Sequence, residues 1–143
     1  MTIKKFLKNK GYQAIPLKTL PSGHHVLHTV FNKKKGVFIL DTGASNTCID
    51  VSKAKKFKLK LKETEHKATG AGSLEIDIQT AHKNKMHIQD WKVKKLDVVV
   101  MDLSHINQAL TIFDTKIDGI IGADILQAGK GIIQYDKELL YLK

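Results

Sequence analysis

Gly36-Val37-Phe38-Ile39-Leu40-Asp41-Thr42-Gly43-Ala44-Ser45-Asn46-Thr47-Cys48 is the stretch on which the reading of this chain turns. Residues 37–40 are apolar without a break, the pattern of a buried strand. They run straight into an acid, a hydroxyl and a glycine. A carboxylate at the inner end of such a strand is costly to bury unless hydrogen bonds or a shared proton compensate it. Thr42 and Ser45 offer hydroxyls, and Gly43 lets the backbone turn so that N–H groups face Asp41. An Asp-Thr-Gly turn that merely closes a hairpin uses the same residue types, so the triplet alone does not separate a reactive acid from a turn.

Outward from this stretch the chain reads as a succession of short strands. Residues 24–31 form a strand, 32–36 a turn and 37–40 the partner strand, a hairpin that delivers Asp41. Residues 12–20 are extended, ended by Pro21-Ser22-Gly23. Residues 1–10 are either a short amphipathic turn, with Ile3, Phe6 and Leu7 on one side and Gly11 ending it, or a frayed basic tail. Downstream, 46–51 resumes a strand and Ser52 caps a short helix over 53–57. The alternation of lysine with apolar residues over 56–62 is that of a strand with one solvent face. Strands follow at 86–88 and 93–101, with 98–101 apolar enough to be central. Residues 102–113 are a loop or short helix, with Ser104 as its cap, placed at one edge of a binding cleft. Residues 131–136 and 138–142 form a terminal hairpin.

Two further runs stand out. Over residues 65–78, polar and apolar residues alternate on both sides of Gly70-Ala71-Gly72, as a hairpin with a glycine tip requires. In Ile117-Asp118-Gly119-Ile120-Ile121-Gly122-Ala123-Asp124-Ile125-Leu126, two β-branched residues precede a glycine that permits close backbone approach, then a short helix begins. Asp124 falls in the first turn of that helix, where negative charge is favoured.

Composition narrows the function classes. At 143 residues with 42% hydrophobic content the chain is one folded domain. No apolar run is long enough to span a bilayer, and the basic start lacks the apolar core of a signal peptide. One cysteine, Cys48, excludes an internal disulfide framework. A soluble cytoplasmic protein is the expectation. The formal charge is +10, and all 24 basic residues are lysine. Without arginine the chain lacks the side chain suited to bidentate phosphate and guanine contacts, which argues against specific nucleic-acid recognition. His24 and His28 share a strand face while His25 points away, so a surface cluster is expected rather than a metal site. Cys48 has no histidine predictably near it to make a thiolate nucleophile and is read as lining a pocket or the core.

The longer string Leu40-Asp41-Thr42-Gly43-Ala44-Ser45 resembles the active-site signature of aspartic proteases, and its Gly-Ala continuation is most similar to the retroviral-type, retropepsin-like branch, in its bacterial or cellular form. The glycine hairpin about 30 residues later resembles the flap of that family, with Thr69, Gly70, Ala71 and Gly72 at the substrate. Ile120-Ile121-Gly122 resembles its hydrophobic-hydrophobic-Gly element, which supports the catalytic turn. The resemblance implies an all-β closed acid-protease barrel with one or two short helices. Residues 24–143 would form the protease domain, and 1–23 an N-terminal extension with the first strand.

Chemically, such enzymes hold two carboxylates about 3 Å apart sharing one proton. One acts as base toward water while the other, protonated, polarises the scissile carbonyl. No other aspartate here precedes Thr-Gly or Ser-Gly, so the pair requires a homodimer joining Asp41 to its two-fold mate. The resemblance thus implies an endopeptidase acting on peptide or protein substrates, with no metal, cofactor, specific nucleic acid or membrane. Asp41 is catalytic. Thr42, Gly43, Ala44 and Ser45 support the turn, and Ile120, Ile121, Gly122 and Asp124 form the supporting loop. Retroviral relatives usually carry an acid at the position of Ser45 and an arginine at that of Ala123; both are missing together, so no buried charge is stranded. A chain opening on its own Met1 is not expected to need excision from a polyprotein. Two alternatives are a non-catalytic peptide-binding module on the same fold and a basic nucleic-acid-binding β-domain.

Overall fold

The computed structural model describes residues 1–63, 68–69, 75–76 and 78–143. In chain order the elements are α1 (Ile3–Asn9), β1 (Gln13–Pro16), β2 (Lys18–Thr19), β3 (His25–Phe31), β4 (Lys34–Leu40) and β5 (Cys48–Asp50). The middle holds β6 (Leu61–Glu63), β7 (Ala68–Thr69), β8 (Glu75–Ile76), β9 (Gln79–Ile88), β10 (Trp91–Met101) and α2 (Ser104–Leu110). The chain closes with β11 (Gly119–Ile121), α3 (Ala123–Ala128), β12 (Ile132–Gln134) and β13 (Leu139–Leu142).

The main sheet runs β2-β3-β4-β11-β5-β10-β9-β6, and a further pairing of β3 with β9 closes six of these strands, β3 to β9, into a barrel. A second sheet, β1-β13-β12, lies outside that ring. The barrel interior takes one apolar residue set from each strand, including Leu27, Phe31, Phe38, Ile49, Met86, Val98, Val100 and Ile121. Ile15, Leu17, Leu140 and Leu142 of the second sheet and its flank join the same core. A smaller cluster under α2 packs Leu103 and Leu110 on Val26, Ile39, Ile117 and Ile120. The strand that carries Asp41 is therefore supported on both faces, by Phe38 and Leu40 on one and Ile39 on the other.

The hairpin before Asp41 is tighter than its lysine run suggests. Its turn is two residues, Asn32 and Lys33, both at positive φ, and β4 begins at Lys34. Two such residues form the turn whose twist matches the flanking strands. Asn32 secures it, donating to the Phe57 carbonyl and to Asn84 Oδ1 and accepting from the Lys85 N–H.

Five other local expectations change. Asp50, rather than Ser52, caps the turn after β5, accepting from Ser52 N–H and Oγ, and the helix expected over 53–57 is a 3-10 turn over Val51–Lys53 continued by irregular turns. The lysine alternation over 56–62 is strand only from Leu61, because Phe57 leaves the surface to pack edge-on against Phe31 in the core. Asp102, not Ser104, accepts the first free N–H of α2. Strands β9 and β10 are longer than their apolar cores, since register shifts between Val93 and Val98 interrupt the alternation while pairing continues. In α1 only Leu7 is buried; Ile3 and Phe6 are exposed.

Candidate active site

Asp41 lies one residue beyond β4, and its position follows from three strands. β11 lies between β4 and β5, parallel to β4 and antiparallel to β5. The main chain then bends back on itself: Asp41 N–H donates to the Ile121 carbonyl (2.9 Å), Ala44 N–H to the Asp41 carbonyl (3.2 Å) and Ala123 N–H to the Ala44 carbonyl (2.7 Å). The Asp41-Thr42-Gly43-Ala44 turn and the Ile120-Ile121-Gly122 segment are thus one hydrogen-bonded unit. Gly122 is required there by space. A Cβ on it would sit 2.7 Å from the Ala44 carbonyl oxygen and 2.9 Å from that of Asn46, closer than backbone permits.

A second layer locks the loop from below. Thr47 is fully buried, donates N–H to Asp124 Oδ2 (2.9 Å) and Oγ1–H to Asp124 Oδ1 (2.8 Å), and accepts the Gly122 N–H (3.2 Å). Asp124 also accepts the N–H of Ile125. The acid expected to favour a helix start thus spends its oxygens holding the loop. Sequence reasoning missed Thr47, because 46–51 reads as one strand; β5 begins only at Cys48, and the Thr47 hydroxyl is turned to the loop instead.

The Asp41 carboxylate itself is exposed. Oδ1 accepts the Gly43 N–H at 2.9 Å, and no other described residue bonds the side chain. Thr42, Gly43 and Ser45 are exposed beside it, Ala44 is half-buried, and Ser45 makes no hydrogen bond to Asp41 within the chain. Ile120 and Ile121 are buried behind the turn. Thr69 lies on β7, paired with Glu75 of β8; Gly70, Ala71 and Gly72 lie outside the described residues.

Beside Asp41 opens a cleft of about 260 Å³, lined by His24, His25, Asp41, Thr42, Ile133 and Tyr135 among others. The fold brings His24 and His25 to this wall, where the sequence suggested only a surface cluster. Among the described residues no three metal-binding side chains converge. A larger hollow, about 570 Å³, lies between Ser52 and α2 at Ser104, Asn107 and Thr111, away from Asp41.

Cys48, at the start of β5, is half-buried and donates to the Asn46 carbonyl. Burial, then the charges of Asp124 and Asp41, push its thiol up to about 11. It stays protonated at neutral pH and is a poor nucleophile. Asp41 is the one exposed ionisable group on the 41–47 loop.

The sequence profile of the aspartyl protease family matches residues 27–125. No curated protein matches the chain. Among solved structures, a retropepsin-like aspartic protease from Rickettsia conorii shares 24% identity, covering 92% of this chain and 90% of that one, with a TM-score of 0.62. The retroviral protease-like domain of Ddi1 from Leishmania major shares 15% identity over 82% of this chain and 86% of that one, with a TM-score of 0.58. The EIAV protease in complex with the inhibitor HBY-793 shares 16% identity over 77% and 91%, with a TM-score of 0.56. The barrel is therefore a retropepsin-like fold. Among the described residues no helix is long and apolar enough to cross a membrane.

Proposed function

The chain belongs to the aspartyl protease family, and from that premise we propose that it is an aspartic endopeptidase whose catalytic unit is a homodimer pairing Asp41 with its two-fold mate. The observation that carries the reading is the state of Asp41: an exposed carboxylate on a doubly locked loop, in the lining of a cleft, bonded among the described residues only to one backbone N–H. Asp124, the acid that ties the turn down, is committed to Thr47 and Ile125. Among the described residues no second carboxylate lines the cleft, which supports drawing the partner acid from another copy.

In the dimer the two Asp41 carboxylates share one proton, because two like charges that close do not both ionise. The ionised one takes a proton from water as the water oxygen attacks the substrate carbonyl; the protonated one donates to the developing oxyanion. Gly43 and Ala44 keep the turn's backbone close to the substrate, Thr42 ties the two turns to each other, and Ser45 lies at their rim. By the family resemblance, Gly70 and Gly72 would supply the flap tip over the peptide. Ile120, Ile121, Gly122 and Asp124 keep the turn from shifting under load.

Two measurements test this. Wild type and Asp41→Asn are compared on a peptide library, with cleavage expected from wild type alone; equal activity removes the assignment of Asp41. Light scattering across a concentration series is expected to show a dimer wherever activity appears. Activity from a strict monomer overturns the two-chain catalytic unit, and peptide binding without cleavage assigns the fold a binding role.

A further inference from the structure

Resting on the protease reading of Asp41, we propose that the cleft beside it selects an acidic substrate side chain, with His24 and His25 as the specificity-determining residues. Both stand in the wall of the cleft, together with Ile133 and Tyr135. Each imidazole is anchored at one nitrogen by a hydroxyl from the preceding segment: Ser22 Oγ lies 2.7 Å from His24 Nδ1, and Thr19 Oγ1 lies 3.0 Å from His25 Nδ1. The ring of His25 is held again by Tyr135, with centroids 5.2 Å apart and planes tilted by 56°. Nε2 of each ring is left without a partner among the described residues.

A pair of anchored rings, each with a spare nitrogen, in one wall is a fixed donor site. An imidazole engaged at Nδ1 donates from Nε2 in its cationic form and in one neutral tautomer. A carboxylate is the acceptor that gains most from such a donor, since charge-assisted hydrogen bonds are the stronger kind. Apart from Asp41, no carboxylate among the described residues lines the cleft. Ile39 and Ile133 supply an apolar surface for the methylenes of an acidic side chain. Asp41 sets the direction: a substrate carboxylate is repelled at that end and favoured at the histidine end. The formal charge of +10 acts over longer range in the same sense, concentrating acidic polypeptides at the surface.

The test is a peptide series in which each position in turn carries Asp, Asn or Lys, at fixed ionic strength. Relative kcat/KM is measured with the wild-type full chain, and relative Kd by fluorescence anisotropy with Asp41→Asn. One position is expected to favour Asp over Asn by about ten-fold, the order of one charge-assisted hydrogen bond, and to disfavour Lys. Replacing both rings, His24→Gln with His25→Gln, is expected to bring the Asp-to-Asn ratio to about one. The ratio is internal to each protein, so partial unfolding lowers all three peptides together and leaves it readable. Equal values for Asp and Asn at every position in the wild type overturn the proposal, as does a preference that survives the double replacement. An Asp preference in binding with no cleavage by the wild type supports this inference while failing the protease reading, so the two are separable.

Discussion

Asp41 and Asp118 both abut β4, yet their surroundings are opposite. Asp118 is 7% exposed. Its Oδ2 accepts the Val37 N–H (2.9 Å) and Lys56 Nζ (3.2 Å), while Lys53 Nζ stands 3.7 Å from Oδ1. Its backbone joins in as well, donating to the Val37 carbonyl and accepting from Asp50 N–H. Among the described residues Asp41 is exposed and accepts one N–H, that of Gly43. The first acid fastens β4 to β11; the second is held out from a frame that does not need it. The difference teaches that chemical availability and structural use divide between acids of the same sheet, and substitution should separate them cleanly.

The largest effect is expected at Asp41. Asp41→Asn should lower kcat/KM by at least about 10³-fold, within the range for loss of an acid–base group, while its thermal unfolding stays within about 0.5 kcal/mol of wild type, as for an exposed side chain whose one bond, from Gly43 N–H, an amide oxygen also accepts. A marked loss of stability would break the contrast.

Asp118→Ala should do the reverse at the level of folding, costing about 2–3 kcal/mol because the Val37 N–H and two lysines lose a buried acceptor. Denaturant titration checks it, with the midpoint falling and the slope unchanged. Gly122→Ala should cost about 2 kcal/mol by forcing backbone atoms apart, and unlike Asp118→Ala it should reduce kcat beyond what the unfolded fraction explains. Thr47→Val keeps the shape and removes the hydroxyl, leaving the Gly122 N–H unpaired and Asp124 Oδ1 with the Ile125 N–H alone, at about 1–2 kcal/mol.

The smallest effect is a rate. A thiol raised to about 11 is protonated below that pH, so at pH 8 only about one Cys48 in a thousand is thiolate. Alkylation by iodoacetamide should rise about ten-fold per pH unit from 7 to 10 without a plateau. A plateau near pH 8 would contradict the burial and the two nearby carboxylates.

What was legible in the chain is what is local. The apolar run 37–40 ending in Asp41, the glycine that must fold against it and the Ile120-Ile121-Gly122 strand are each written within a few residues. The hairpin that delivers Asp41 was readable too, although the lysine run hid how short its turn is. Contacts between distant segments were not readable. Nothing near Phe31 announces that β3 meets β9 to close the barrel, and nothing near Thr47 names Asp124 as its partner. His24 and His25 read as a surface cluster because β12 and Tyr135, which complete their cleft, lie more than 100 residues away. Caps failed differently. Asp50 and Ser52 are both good caps two residues apart, and only the burial of Asp50, which also accepts the Leu103 N–H, decides between them.

The second sheet has a consequence for biosynthesis. Residues 13–16 pair with residues 139–142, and β13 lies between β1 and β12. β1 finds its neighbour only once residues 139–142 have been made, and until then Ile15 and Leu17 wait without the Leu140 and Leu142 they pack with. Completion of the fold is thereby timed by synthesis: no nascent fragment ending before residue 139 holds the whole β1-β13-β12 sheet.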